Sequence, residues 1–150
     1  NYFQMSTMYF AYGSNMNLDQ MAMRCPGAVL GQIVCLPDWQ YFINGNGYAG
    51  IEKKEGSNVL GCLWTLEEKH WRALDHYEGV AKGYYKRVEM EVELLGQNTF
   101  AKVWVYLSCN YQYGIPQPRY QMAVIEGARQ VQLPEDYLPV LESWANGFPH

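Results

Sequence analysis

Residues Arg87 to Leu94 alternate strictly: Val88, Met90, Val92 and Leu94 are apolar, and Arg87, Glu89, Glu91 and Glu93 are charged. A period of two describes a strand with one face buried and the other wet. The three glutamates are then a solvated strand face, not a cluster of catalytic acids. Gly96, Gln97 and Asn98 turn this strand into a second one, Thr99 to Leu107.

The remaining elements decide how these strands are covered. Met8 to Tyr12 reads as a short buried strand, and Asn17 as the N-cap of a helix running to Arg24, with Gln20 completing a capping box. Cys25, Pro26 and Gly27 stop that helix. Ala28 to Leu36 and Trp39 to Ile43 read as strands separated by a turn at Pro37 and Asp38. Asn44 to Gly47 is a strong turn cluster, and Ala49 to Lys53 with Val59 to Trp64 reads as a hairpin around Gly56, Ser57 and Asn58. Thr65 and Glu68 form a capping box for a helix carrying Leu66, His70, Leu74 and Tyr77 on one face and ending at Glu78 and Gly79. Pro116 and Pro118 close a loop before a helix with Tyr120, Val124, Ala128 and Val131 on one stripe. Pro134 opens the last helix, which Pro139 either kinks or starts. Strands linked by hairpins outnumber βα units, so the fold class is α+β: a small, mostly antiparallel sheet curled towards a barrel and flanked by helices.

A chain of 150 residues fits one domain with a real core and no need of disulfides. Its first four residues, NYFQ, resemble the end of an engineered protease-cleavage tag, so the domain is expected over 5–150 with Met5 as the native start and 1–4 as a tag remnant. Thirteen tyrosines imply phenols lining a cavity and not only packing as apolar bulk. A net charge of -4 without a Lys and Arg cluster argues against a nucleic-acid partner. Cys25, Cys35, Cys62 and Cys109 show no CxxC pairing, which fits reduced thiols in a cytoplasmic protein and no zinc. No apolar run approaches the roughly 18 residues of a membrane span.

Two stretches invite chemistry. A carboxylate at a helix C-terminus faces unpaired carbonyls that favour cations, so the position of Glu78 disfavours its charge. If Tyr77, Tyr84 and Tyr85 wall it in, desolvation raises its pKa further, towards that of a general base near neutrality. The alternative is a solvated helix-end residue with Gly79 as a left-handed cap. The second stretch, Tyr12, Gly13, Ser14 and Asn15, joins a strand to a helix; such a turn exposes amides suited to a carboxylate or an oxyanion, or is an ordinary turn. His70, His76 and His150 show no metal spacing, and Asp75 and His76 are adjacent on a helix and point to different faces, which weakens a triad.

Four segments, YFAYGSNMN, GCLWTLEEKHWRALDHYEGVAKGYY, YLSCNY and PQPRYQMAVIEGARQVQLPEDYLPVL, occur in that order. In this the chain resembles the γ-glutamylcyclotransferase family from Met8 to Leu141. The resemblance implies a small mixed barrel acting on γ-glutamyl compounds to release 5-oxoproline and an amine or amino acid, without a cofactor or metal. It maps the catalytic glutamate onto Glu78 and the substrate-holding loop onto Tyr12, Gly13, Ser14, Asn15, Met16 and Asn17, where Met16 and Asn17 replace two frequent leucines. Pocket tyrosines map onto Tyr85 and Tyr120. Arg119 stands where some relatives carry a neutral residue. In such an enzyme the substrate's own α-amine attacks its γ-carbonyl, so the nucleophile comes tethered, and Glu78 takes a proton and returns it to the departing nitrogen. A small-molecule substrate and a monomer or weak homodimer are the expected partners. The competing class is a non-catalytic small-molecule-binding domain using the same pocket.

Overall fold

The computed structural model describes residues 7–149; the expected tag remnant at 1–4 and the start at Met5 lie outside the described residues. The chain runs through β1 (Thr7–Ala11), a 3-10 turn (Ser14–Met16), α1 (Leu18–Arg24), β2 (Val29–Ile43), β3 (Ala49–Leu66) and α2 (Glu68–Tyr77). After a second 3-10 turn (Val80–Lys82) come β4 (Tyr85–Leu94), β5 (Thr99–Ser108), α3 (Tyr120–Gln130), a third 3-10 turn (Glu135–Tyr137) and α4 (Leu138–Glu142).

The strands form a closed barrel in the order β1-β3-β2-β4-β5. Every pairing is antiparallel except the one that closes it, where β1 lies parallel to β5 with Tyr9 opposite Trp104. This is the expected mixed, mostly antiparallel barrel with flanking helices. Phe10, Val34, Phe42, Ile43, Ile51 and Val105 of the strands are fully buried, and Met16, Leu74 and Leu141 bring the flanking elements into the same core.

Two expected turns are absent. β2 and β3 each run unbroken, paired from Val29 opposite Thr65 to Ile43 opposite Ala49, so the hairpin turn is the Asn44 to Tyr48 segment alone. Pro37-Asp38 and Gly56-Ser57-Asn58 do not reverse the chain; they face each other in one irregularity of the ladder. Asp38 takes a φ of 66°, Gly56 a φ of 85°, and the Gly56 N–H donates to Oδ1 of Asp38 at 3.0 Å. The residues that look like two turns are a bulge, which tolerates a proline inside a strand.

Two capping boxes also differ from expectation. Asn17 does cap α1, accepting from the Gln20 N–H at 3.1 Å, but the Gln20 side chain reaches Ser14 and Asn15 instead. At α2 the cap is Glu67, not Thr65, which lies in β3. Its partner is His70, whose Nδ1 accepts from the Glu67 N–H at 3.0 Å, leaving Nε2–H to donate to Pro26 O at 2.8 Å. Pro139 sits in the first turn of α4 and so starts it.

The glycine with the most consequence for the barrel's rim is Gly127 in α3. A Cβ there would lie 2.5 Å from the backbone nitrogen of Asn17 and 2.7 Å from the carbonyl carbon of Met16. Only hydrogen lets α3 press this closely on the segment that follows β1. We expect Gly127→Ala to cost on the order of 1 to 3 kcal/mol in denaturant unfolding, with amide resonances of Ser14 to Leu18 displaced in NMR spectra. Unchanged stability and unchanged resonances would contradict this packing.

Candidate active site

α2 ends at Glu78 because the next residue takes a left-handed conformation, Gly79 having a φ of 65°. The Glu78 N–H donates to Leu74 O at 2.8 Å, and the Tyr84 N–H donates back to Gly79 O at 3.1 Å. Any Cβ on Gly79 would meet the Tyr84 ring at 2.5 Å. Glycine is therefore required twice, for its φ and for the return of the chain that lays Tyr84 and Tyr85 beside Glu78. Glu78 as a whole is only half-buried, but its carboxyl is withdrawn from solvent, and desolvation raises its pKa from 4.5 to about 7, opposed by the nearby charge of Arg24.

The turn after β1 reaches the same place. Gly13 lets the backbone abut Ala49 and Tyr120, since a Cβ would lie 3.0 Å from Cβ of Ala49 and 3.3 Å from the Tyr120 oxygen. Asn15 is spent on fixing the turn: its Nδ2 donates to the Tyr9 hydroxyl, its Oδ1 accepts from Gln20 and Arg24, and its carbonyl accepts from Trp64 Nε1. The Met16 and Asn17 amides donate to Gly13 O and Ser14 O, at 3.1 and 2.9 Å. Met16 is fully buried, and Asn17 Nδ2 donates to Ala123 O. Neither lines the cavity; both brace the turn from behind.

The cavity holds about 450 Å³, and Ser14, Glu78, Tyr84, Tyr85 and Tyr120 line it along with Tyr77. A smaller recess of about 20 Å³ adjoins it, bounded by Tyr12, Gly13, Asn15 and Ala49, with Ser14, Glu78, Tyr85 and Tyr120 shared between the two. Such a volume suits one atom or small group, not a whole ligand. Tyr85 donates to Ala49 O at 2.5 Å, and the Tyr120 oxygen accepts from the Ala49 N–H at 3.2 Å and from Ser14. Burial pushes Tyr120 up to about 12 and Tyr85 further, so both phenols stay protonated at neutral pH. Tyr12 lines the recess only, its hydroxyl donating to Tyr106 O at 2.5 Å.

Five polar cavity residues escape sequence reasoning: Gln20, Arg24, Asn44, Asn46 and Tyr48. Asn44 and Asn46 read only as turn formers. Gln20 and Arg24 carried a usable signal, four residues apart and therefore on one face of α1. Arg119 is exposed and outside the cavity lining. Asp75 accepts from the Tyr106 hydroxyl at 2.6 Å and lies 3.5 Å from Arg87, while His76 is exposed, so the two do not act as a pair. Among the described residues no three His, Cys, Asp or Glu side chains gather as metal ligands, and no helix is long and apolar enough to cross a membrane.

The model of the AIG2-like family matches residues 58–141. The γ-glutamylcyclotransferase of Bos taurus is 30% identical over 149 residues, spanning 92% of this chain and 78% of that protein. The Mus musculus γ-glutamylcyclotransferase is 29% identical over 147 residues, covering 91% and 77%. A solved structure of a γ-glutamyl cyclotransferase superposes with a TM-score of 0.86 at 28% identity, covering 93% of this chain and 88% of that one.

The raised pKa of Glu78 has a consequence for stability. Because the folded value lies above the ordinary one, the protonated carboxyl stabilises the fold below about pH 4.5, and that contribution is lost as the pH rises through about 7. The melting temperature of Glu78→Gln relative to the parent should therefore climb between about pH 4 and about pH 8. A difference independent of pH would mean that the carboxyl is solvated.

Proposed function

The chain belongs to the AIG2-like family and within it is a γ-glutamylcyclotransferase, and on that premise we propose that it closes the γ-glutamyl group of a γ-glutamyl amide into 5-oxoproline, with Glu78 as the proton carrier. The observation that carries this reading is a single cavity shared by the desolvated Glu78 carboxyl, the Ser14 turn, Tyr85 and Tyr120. A pKa of about 7 lets the carboxyl take up and release a proton with comparable ease.

The α-amine of the substrate attacks its own γ-carbonyl carbon; the ring C–N bond forms and the original amide C–N bond breaks. The attacking ammonium loses two protons to become the lactam N–H, and the departing nitrogen gains two to leave as an ammonium. Glu78 carries them one at a time, as base towards the ring nitrogen and then as acid towards the leaving one. The enzyme contributes chiefly a bound shape that brings amine and carbonyl together, because the nucleophile is already tethered. The Tyr120 oxygen accepts from Ala49 and Ser14, which frees its proton to donate to the carbonyl oxygen as charge develops there. The recess beside Gly13, Ser14 and Asn15 suits that oxygen or the α-carboxylate. Action in the cytoplasm accords with four free cysteines.

Glu78→Gln keeps the shape and removes proton transfer, so kcat should fall by about 100-fold to 10,000-fold in a folded variant, read as 5-oxoproline release from γ-glutamyl amides. Activity within a few-fold of the parent would refute Glu78 as the proton carrier. Binding of γ-glutamyl compounds by a parent that never turns them over would point instead to a binding module. Tyr85→Phe and Tyr120→Phe should each lower kcat/KM by roughly 10-fold to 100-fold while leaving some turnover. Complete loss in either would transfer the proton-carrying role to that phenol.

A further inference from the structure

Arg24, the last residue of α1, lines the cavity with Ser14 and Glu78. Its Nη1 donates to Oδ1 of Asn15 at 3.1 Å, and its guanidinium carbon lies 4.6 Å from the centroid of the Tyr77 ring. One turn earlier on α1, Gln20 donates to the Ser14 hydroxyl at 2.8 Å and to the same Asn15 oxygen at 3.0 Å. Helix α1 thus grips the Ser14-Asn15 turn by two side chains, and the second also rests on the residue preceding Glu78. Among the described residues Arg24 makes no ion pair within 4 Å. It and Glu78 are the formally charged side chains of the cavity wall.

We propose that Arg24 is a positioning residue for the cyclotransferase reaction, tying the YGSN turn to the end of α2 and supplying the positive field in which Glu78 works. The proposal rests on the function given above. The other groups whose titration feels Glu78 are phenols: Tyr9 from β1, Tyr12 just after it, Tyr85 from β4, Tyr106 from β5 and Tyr120 from α3. Burial pushes all of them up, so they are neutral near pH 7. On α2 itself Asp75 is engaged by Tyr106 and Arg87. Arg24 is the charge that lowers the pKa of Glu78 against the pull of burial, and a guanidinium holds that charge at every working pH. One side chain therefore serves both halves of the site: the turn that holds the substrate and the carboxyl that moves its protons.

The test compares Arg24→Met and Arg24→Lys with the parent, using full-length protein, a carbon-13 titration of Glu78, and 5-oxoproline release as a function of pH. Arg24→Met should move the Glu78 midpoint above about 7 and carry the acid limb of kcat/KM upward with it. Loss of the charged bond to Asn15 should also lower the plateau of kcat/KM by about 10-fold. Arg24→Lys should restore the midpoint but not the plateau, since an ammonium keeps the charge without the planar fork that both bonds Asn15 and stacks on Tyr77. A folded Arg24→Met protein with the parent's midpoint and acid limb would overturn the proposal, as would a folded Arg24→Lys protein whose midpoint stays with that of Arg24→Met. A parent that releases no 5-oxoproline would sink the cyclotransferase reading alone, because the titration still decides whether Arg24 governs Glu78.

Discussion

β1 closes the barrel, and the site depends on that closure. Its five residues pair antiparallel with β3 on one edge and parallel with β5 on the other, so neither edge is left open. Closure at this seam needs a close backbone approach: a Cβ on Gly61 in β3 would lie 2.2 Å from the Ala11 carbonyl oxygen. Held on both sides, the strand delivers Tyr12 and Gly13 to the rim at a fixed height. α2, packed outside the barrel through Leu74 and Trp71, brings Glu78 to the same rim.

At that rim the dominant force on Glu78 is loss of water. Burial disfavours the carboxylate, the unpaired carbonyls of the helix end disfavour it further, and one guanidinium pulls the other way. The balance falls near neutrality because the opposing effects are both present, not because either is small. The phenols contribute differently. Each is fixed by a backbone partner, Tyr85 and Tyr120 on Ala49 and Tyr12 on Tyr106, so they form rigid walls whose polar ends are already ordered. A preorganised wall of this kind loses little when a ligand enters.

Much of this was legible from the sequence. The alternation from Arg87 to Leu94, the cap at Asn17 and the end of a helix at Glu78 depend on neighbours within a few residues, where propensity and side-chain period act directly. The YGSN turn and the LDHYEG helix end stood out for the same reason, each being a local solution to ending or starting an element. The failures have one physical cause. Pro37-Asp38 and Gly56-Ser57-Asn58 have the composition of turns, yet pairing along almost the whole of β2 and β3 outweighs the local preference and folds them into a bulge. Thr65 looked like a cap until β1 and β2 claimed it as a strand residue on both sides.

By itself, then, the sequence determined the class of fold and the elements that carry the candidate site, Glu78 at the end of a helix among them, since these rest on short-range patterning and residue chemistry. The tertiary structure alone decided which turn residues face the cavity and which brace it: Ser14 looks inward, Met16 and Asn17 are pressed against α3 at Gly127. It also decided that Gln20, Arg24, Asn44, Asn46 and Tyr48 belong to the wall. These residues come from two separate segments, α1 and the turn between β2 and β3, and only closure of the barrel, a contact between the first strand of the chain and its partners far along the sequence, sets the distances at which one charge acts on another.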